Sequence, residues 1–146
     1  MQSSCRNRFS GTVSAVHRGA VNSEVVLDIG EGDQLIAIIT NSSVDDLNLQ
    51  SGKKAYALVK APWVILTKDD RQFKTSARNS LCGKVVSCQE GAINAEVIIE
   101  LPGGQHVTAI VTNDSIEALD IKVGETICAL IKASHIILAV ARQASE

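Results

Sequence analysis

The sequence has few aromatic residues, little excess charge of either sign and no long apolar run. Aromatic residues make up 3% of its 146 residues, so the stacking platforms that single-stranded nucleic acid usually needs are scarce. The net charge of −2 gives no overall attraction to a polyanion. No apolar run approaches the roughly 18–20 residues that cross a bilayer, and no basic segment with an apolar core opens the chain. We therefore expect a soluble cytoplasmic protein without nucleic-acid or membrane partners.

Cysteine and histidine are also few, and their spacing matches neither a zinc site nor a compact disulfide framework. The cysteines are Cys5, Cys82, Cys88 and Cys128. Each of them, like each histidine, is replaced by another residue type at the equivalent position of the internal repeat described next. A duplicated metal site would have kept its ligands in both copies. We therefore predict four buried or neutral thiols and no metal directly coordinated by side chains.

An internal repeat organises the chain. Ser4-Cys5-Arg6-Asn7 returns 72 residues later as Ser76-Ala77-Arg78-Asn79, and positions 4–67 align with 76–139 without a gap. Identical residues occupy 24 of the 64 aligned positions. A repeat of this kind fixes the architecture before any single residue is interpreted.

The repeat predicts two domains, residues 1–67 and 76–146, joined by a charged linker over residues 68–75. A unit of roughly 65–70 residues is marginal alone. The cores must also be built from Val, Ile, Leu and Ala, which bury less area than aromatic residues. We therefore expect the chain to self-associate.

Each repeat predicts three strands, a short helix and two further strands. In the first repeat, alternation of apolar and polar residues indicates a hairpin over 11–18 and 21–29, and residues 35–39 form a buried strand. Residues 55–60 and 64–66 supply the last two strands and close the unit. This order is that of an OB-type barrel. We predict an all-β fold with short helices, made of two tandem OB-like five-stranded β-barrels.

The predicted helix follows the third strand. Ser42 is followed three positions later by Asp45, and Asp114 by Glu117, a spacing that resembles a capping box. The acidic residues near each helix start would repel an anion, so we do not expect the helix dipole to hold one.

Polar residues retained in both repeats need an explanation beyond turns and packing. Each repeat keeps two cations and three hydroxyls, a donor set that suits a tetrahedral oxyanion. They are Ser4, Arg6, Thr40, Ser43 and Lys60, and Ser76, Arg78, Thr112, Ser115 and Lys132. The alternative is that the cations are solvated strand ends and the hydroxyls cap the helix. For the retained Asn7, Asn22 and Asn41 we expect turn or left-handed conformations rather than ligand contact.

Energetics require an enclosed site. Micromolar binding needs about 8 kcal/mol, and an exposed ion pair contributes only about 0–1 kcal/mol. Five to seven charge-assisted hydrogen bonds at about 1.5–3 kcal/mol each suffice after ordering costs, if a subunit interface encloses them. Two other functions stay open: a structural or nucleic-acid-binding OB-fold module, and an enzyme acting on an oxyanion. The repeat supplies no general base for the latter.

The duplicated motifs resemble those of molybdate-binding proteins of the molbindin (Mop/TOBE) family in its tandem di-Mop form. In the second repeat the motifs are Ser76-Ala77-Arg78-Asn79, Gly83-Lys84-Val85-Val86, residues 91–97, residues 108–115 and residues 129–134. The resemblance implies an OB-like barrel per repeat and a homotrimer that holds molybdate or tungstate between subunits. It also implies cytoplasmic molybdenum storage or homeostasis, with neither enzymatic activity nor an organic cofactor.

The resemblance further implies particular binding residues. These are the ten residues of the donor set above, with the main chain of Ala61 and Ala133. Additional oxyanion sites would lie near three-fold axes at two turns: Gly19, Ala20, Val21 and Asn22, and Gly91, Ala92, Ile93 and Asn94.

The two repeats depart from each other after their retained lysines, and this predicts two unequal sets of sites. Lys60 is followed by Ala61-Pro62-Trp63, whereas Lys132 is followed by Ala133-Ser134-His135. Ser134 supplies a hydroxyl that Pro62 lacks. The sites that remain in a Lys60→Ala variant should therefore differ in molybdate affinity from those that remain in a Lys132→Ala variant, as measured by calorimetry. Equal affinity of the remaining sites in both variants would contradict this.

Overall fold

A computed structural model describes residues 2–68 and 73–142. Part of the predicted linker, residues 69–72, lies outside them, as do residues 143–146 of the second predicted domain. The first repeat contains β1 (Asn7–Arg18), β2 (Asn22–Gly30), β3 (Asp33–Thr40), α1 (Asn41–Asp46), β4 (Lys54–Val59) and β5 (Ile65–Thr67). The second contains β6 (Asn79–Glu90), β7 (Asn94–Glu100), β8 (His106–Thr112), α2 (Asn113–Leu119), β9 (Thr126–Ile131) and β10 (Ile137–Ala139).

The predicted all-β fold with short helices is confirmed. A 3₁₀ turn precedes the last strand of each repeat, at Ala61–Trp63 and Ala133–His135. The strands alternate buried and exposed side chains, and the core is almost entirely aliphatic, with Phe9 as its one aromatic residue among those described. Gly11 lies on β1 close to the backbone of the paired strand β2, and a Cβ there would lie 2.6 Å from the Asp28 carbonyl oxygen. A side chain at this position would therefore force the two strands apart.

The two five-stranded sheets exchange their last strands. One sheet has the order β10-β4-β1-β2-β3, and the other β5-β9-β6-β7-β8. The expectation that residues 64–66 close their own unit is therefore wrong, because β5 pairs with β9 and β10 pairs with β4. Since the repeats are nearly equivalent, the exchange replaces each pairing by an equivalent one and costs no ladder hydrogen bonds, as in domain swapping.

Two buried asparagines join the repeats. The Asn7 side chain accepts a hydrogen bond from Thr108 N at 2.7 Å and donates one to Thr108 O at 2.8 Å. Asn79 makes the same pair of bonds with Ile36, at 2.7 and 2.8 Å. Each asparagine is 1% exposed. The Asn7 amide supplies hydrogen-bond partners to the backbone of one residue on the edge strand β8, and the Asn79 amide does the same on the edge strand β3. We call these two contacts the amide clamps.

The amide clamps correct the role predicted for Asn7. It lies in β1, and positive φ among the described non-glycine residues occurs at Glu31, Asn48 and Asp120. Asn22 does belong to a turn, since its carbonyl accepts from Gly19 N at 2.8 Å. Asn41 Nδ2 donates to the carbonyl of Gly19 at 3.0 Å, so it braces the same turn.

Both helices begin two residues earlier than the capping-box interpretation required. The N-cap of α1 is Thr40, whose Oγ1 accepts a hydrogen bond from Ser43 N at 3.1 Å. Thr112 caps α2 in the same way, at 3.2 Å from Ser115 N. Both threonines end a strand and so already have the extended backbone that an N-cap requires. Ser42 and Asp114 are therefore helical residues and not caps.

The prediction of four thiols is also wrong. Cys82 and Cys128 are directly opposite each other on β6 and β9, and a disulfide joins them. Cys5 and Cys88 are free and half-buried. The disulfide has no counterpart in the first repeat, where the equivalent residues are Ser10 and Tyr56. Within the described ranges, no helix is long and apolar enough to cross a membrane.

The amide clamp at Asn7 predicts a large stability loss on Asn7→Leu. This change removes two hydrogen bonds and leaves the backbone N–H and C=O of Thr108 without partners in a buried place. We expect the free energy of unfolding to fall by about 2–4 kcal/mol. Urea unfolding at a fixed protein concentration measures it, with the exposed Asn22→Leu as the control. Equal losses in the two variants would show that the clamp contributes nothing specific.

The disulfide predicts a thiol count. Alkylation of the denatured protein without reductant, read by intact mass, should add two groups, on Cys5 and Cys88. After reduction, the same treatment should add four. Four adducts without reductant would restore the four-thiol prediction, which is the state expected in a reducing cytosol.

Candidate functional site

Two clefts where the repeats meet contain the predicted hydroxyl pairs. Cleft A, about 300 Å³, is lined by Thr40 and Ser43 of the first repeat and by Ser134 of the second. Cleft B, about 250 Å³, is lined by Thr112 and Ser115 of the second repeat and by Pro62 of the first. Each cleft also has an aliphatic lining that includes an exchanged strand, β10 in cleft A and β5 in cleft B. The predicted binding residues are thus regrouped, since each cleft draws on both repeats.

The threonine of each hydroxyl pair caps a helix, and the pair still has a hydroxyl hydrogen to donate to a ligand. Thr40 Oγ1 donates to Ser43 Oγ at 2.9 Å while it accepts from Ser43 N. In cleft B the corresponding Thr112 and Ser115 oxygens are 2.8 Å apart. A hydroxyl donates one hydrogen and accepts through two lone pairs. The Ser43 hydroxyl therefore retains its own hydrogen for a ligand, so capping and anion binding are compatible.

The retained lysines do not line the clefts but precede the 3₁₀ turns that do. These turns pack on β8 and β3, next to the hydroxyl pairs. Ala61 and Ala133 are buried within them, consistent with a role through the main chain only. Lys60 Nζ lies 5.2 Å from the centroid of the Trp63 ring, and Trp63 contacts His135 with ring centroids 4.6 Å apart and an interplanar angle of 37°. The two segments that follow the lysines therefore meet at this pair of rings.

The retained arginines each pair with a glutamate of the other repeat. Arg6 lies 2.6 Å from Glu96, and Arg78 lies 2.8 Å from Glu24. The donor set predicted from the sequence consists of cations and hydroxyls and does not include these two glutamates. A signal was present, because Glu24 and Glu96 are identical residues at equivalent positions of the repeat.

The remaining predicted residues lie outside clefts A and B. Ser4 and Ser76 are exposed before the first strand of each repeat. At the two predicted additional sites, the turn N–H of Gly19 and of Gly91 is used by the carbonyls of Asn22 and Asn94. Gly91 and Asn94 line a separate open cleft with Glu96. The tips of these turns expose Val21 and Ile93, both apolar.

Negative charge near the hydroxyl pairs is partly balanced. A hydrogen bond from Arg18, and then its positive charge, lower the pKa of the Asp45 carboxyl, so Asp45 is ionised at neutral pH. The same contact raises the pKa of Arg18.

Burial, and then the charge of Glu90, raise the pKa of the Cys88 thiol, which disfavours the reactive thiolate. Residues 2–68 and 73–142 contain no group of three His, Cys, Asp or Glu arranged to hold a metal ion.

The fold and the clefts define a class: tandem OB-like β modules whose clefts are lined by residues of both repeats. The TOBE domain family matches residues 3–66 and 75–138. The chain belongs to this family and carries two TOBE domains in tandem.

Relatives of the chain are named for molybdenum. It is 41% identical over 140 residues to the molybdenum transport protein ModE of Azotobacter vinelandii, covering 96% of this chain and 52% of ModE. It is 40% identical over 139 residues to the molybdenum-pterin-binding protein MopA of Rhodobacter capsulatus, covering 95% of this chain and 52% of MopA. The chain thus spans about half the length of these curated relatives.

A solved structure matches the whole chain. The cytoplasmic molybdate-binding protein ModG, in a crystal form with molybdate bound, superposes with a TM-score of 0.93 at 47% sequence identity. The superposition covers 97% of this chain and 100% of the ModG chain. The agreement therefore extends over both repeats.

Proposed function

We propose that this chain binds molybdate reversibly, through hydrogen bonds from hydroxyls, main-chain N–H groups and cations at the interfaces between repeats and subunits. The observation that carries the proposal is the whole-chain match to molybdate-bound ModG at 47% identity. The donor set retained in both repeats supports it independently. Tungstate has the same charge and shape as molybdate and is expected to bind as well.

The placement of the hydroxyl pairs supports sites at interfaces. Each cleft combines a Thr–Ser pair of one repeat with the 3₁₀ turn that follows the lysine of the other repeat. Ser4 and Ser76 are exposed and precede the sheets, so they can complete a site on a neighbouring subunit. Exposed apolar side chains supply surface for that contact, among them Val21, Ile65, Ile93 and Ile137. We propose self-association on this basis, in the form of the homotrimer that the resemblance of the motifs implies.

The chemistry of the donor set favours binding over catalysis. Cations and hydroxyls complement a tetrahedral dianion without forming bonds to its central atom. The carboxylates of Glu24, Glu96 and Asp45 each contact an arginine rather than a hydroxyl that they would need to deprotonate. We propose a cytoplasmic role in molybdenum storage or homeostasis and no enzymatic activity.

Equilibrium dialysis or calorimetry with molybdate tests the proposal, with Ser43→Ala as the informative variant. Ser115→Ala is its counterpart in cleft B. Each change removes a donor hydroxyl but keeps the backbone N–H that the capping threonine binds. Loss of one hydrogen bond to a charged ligand should weaken binding at the affected sites about 10- to 100-fold.

Ser42→Ala is the matched control, because Ser42 lies on the same helix, is exposed and does not line cleft A. Its affinity should equal that of the unsubstituted chain. Native mass should give three chains per particle. Absence of binding by the unsubstituted chain at high micromolar molybdate would refute the proposed function, and equal effects of Ser42→Ala and Ser43→Ala would refute the assignment of cleft A.

A further inference from the structure

The same ion pair is built twice across the two repeats. Arg6 of the first repeat meets Glu96 on β7, and Arg78 of the second meets Glu24 on β2. The ion pairs Arg18–Asp45 and His106–Glu100, by contrast, each occur once and within one repeat. A contact kept in both copies, between residues that are identical in both, indicates a role beyond general surface charge.

Each pair lies beside the strand that leads to a hydroxyl pair. Glu96 is paired across β7 and β8 with Ile110, two residues before Thr112 on the same face of β8. Glu24 is paired with Ile38, two residues before Thr40 on β3. Two residues along a strand span about 7 Å. Arg6 of the first repeat thus contacts a glutamate whose strand partner, Ile110, is two residues from Thr112 of the second repeat.

The amide clamp fixes the backbone next to each arginine. Asn7 follows Arg6 directly and is bonded to Thr108, while Asn79 follows Arg78 and is bonded to Ile36. The arginine side chain itself remains about half exposed and needs a second contact to adopt one direction. The glutamate supplies this contact, since Glu96 and Glu24 lie on β7 and β2, strands that are paired on both sides.

The recorded contact leaves donors for a ligand. In each pair a terminal guanidinium nitrogen approaches a carboxylate oxygen, at 2.6 Å for Arg6 and Glu96 and 2.8 Å for Arg78 and Glu24. A guanidinium carries five N–H donors in a planar fork, so the other edge of the fork can face an oxyanion. We propose that Glu96 and Glu24 are positioning residues that orient Arg6 and Arg78 for the anion, an inference that rests on the proposed function.

Two effects of the glutamate oppose each other. It holds the long arginine side chain in one conformation before the anion binds, which reduces the entropy lost on binding and so strengthens binding. Its negative charge repels the dianion, which weakens binding. In the proposed site the guanidinium, and not the carboxylate, contacts the dianion. Solvent screens the charge of the partly exposed carboxylate. Positioning therefore outweighs repulsion as long as the arginine is present, and only repulsion remains when the arginine is removed.

Calorimetric titration with molybdate of Glu96→Gln and Glu24→Gln tests the inference. Each variant should bind about 3- to 10-fold more weakly than the unsubstituted chain, within the range of coupling between contacting residues. Glu100→Gln is the matched control, because it removes the same charge from the same strand, β7, where the partner is His106. It should change the affinity less than twofold.

A double-mutant cycle separates positioning from a structural role. In the Arg6→Ala background, Glu96→Gln should leave the molybdate affinity unchanged or raise it. Equal weakening in both backgrounds would show a structural role, and tighter binding by Glu96→Gln alone would show a competing carboxylate; either result overturns the inference. If the unsubstituted chain binds molybdate and Glu96→Gln behaves as Glu100→Gln, the inference alone fails. If the unsubstituted chain does not bind, the proposed function fails and the inference with it.

Discussion

The architecture depends on how two small repeats satisfy each other's sheet edges. β3 and β8 are edge strands, and an unpaired edge is both a cost and a route to aggregation. The side-chain amides of Asn7 and Asn79 bond the backbone of these strands at Thr108 and Ile36, where they take the place of a neighbouring strand. The exchange of β5 and β10 adds a second connection, so that neither repeat completes its sheet alone.

The composite nature of the clefts follows from this connection. Because β5 and β10 cross to the other sheet, the 3₁₀ turns before them cross as well and come to rest beside the other repeat's hydroxyl pair. The Arg6 and Arg78 segments are carried across by the amide clamps. Each cleft therefore exists only when the two repeats are paired. Folding and construction of the two clefts are the same event.

Several predicted features depended only on local pattern, and they hold. The alternation of apolar residues correctly predicted the hairpin of β1 and β2, the buried β3 and the order of the elements in each repeat. The retained Thr40 and Ser43 lie together in one cleft, as do Thr112 and Ser115. Predictions that required knowledge of partners failed: the closing strand, the role of Asn7, the disulfide between Cys82 and Cys128, and the glutamates beside the arginines.

The sequence by itself determined the repeat, the order of elements along the chain, the aliphatic core and the residue types of the donor set. Periodicity, and identity at a spacing of 72 residues, are properties of the chain alone. Only the tertiary structure decided which copy of each residue meets which. Two repeats with the same pattern of strands offer equivalent strand pairings within and between themselves, so local sequence does not distinguish the two arrangements. The choice is made by contacts between residues far apart in the chain, such as Asn7 with Thr108 and Arg6 with Glu96.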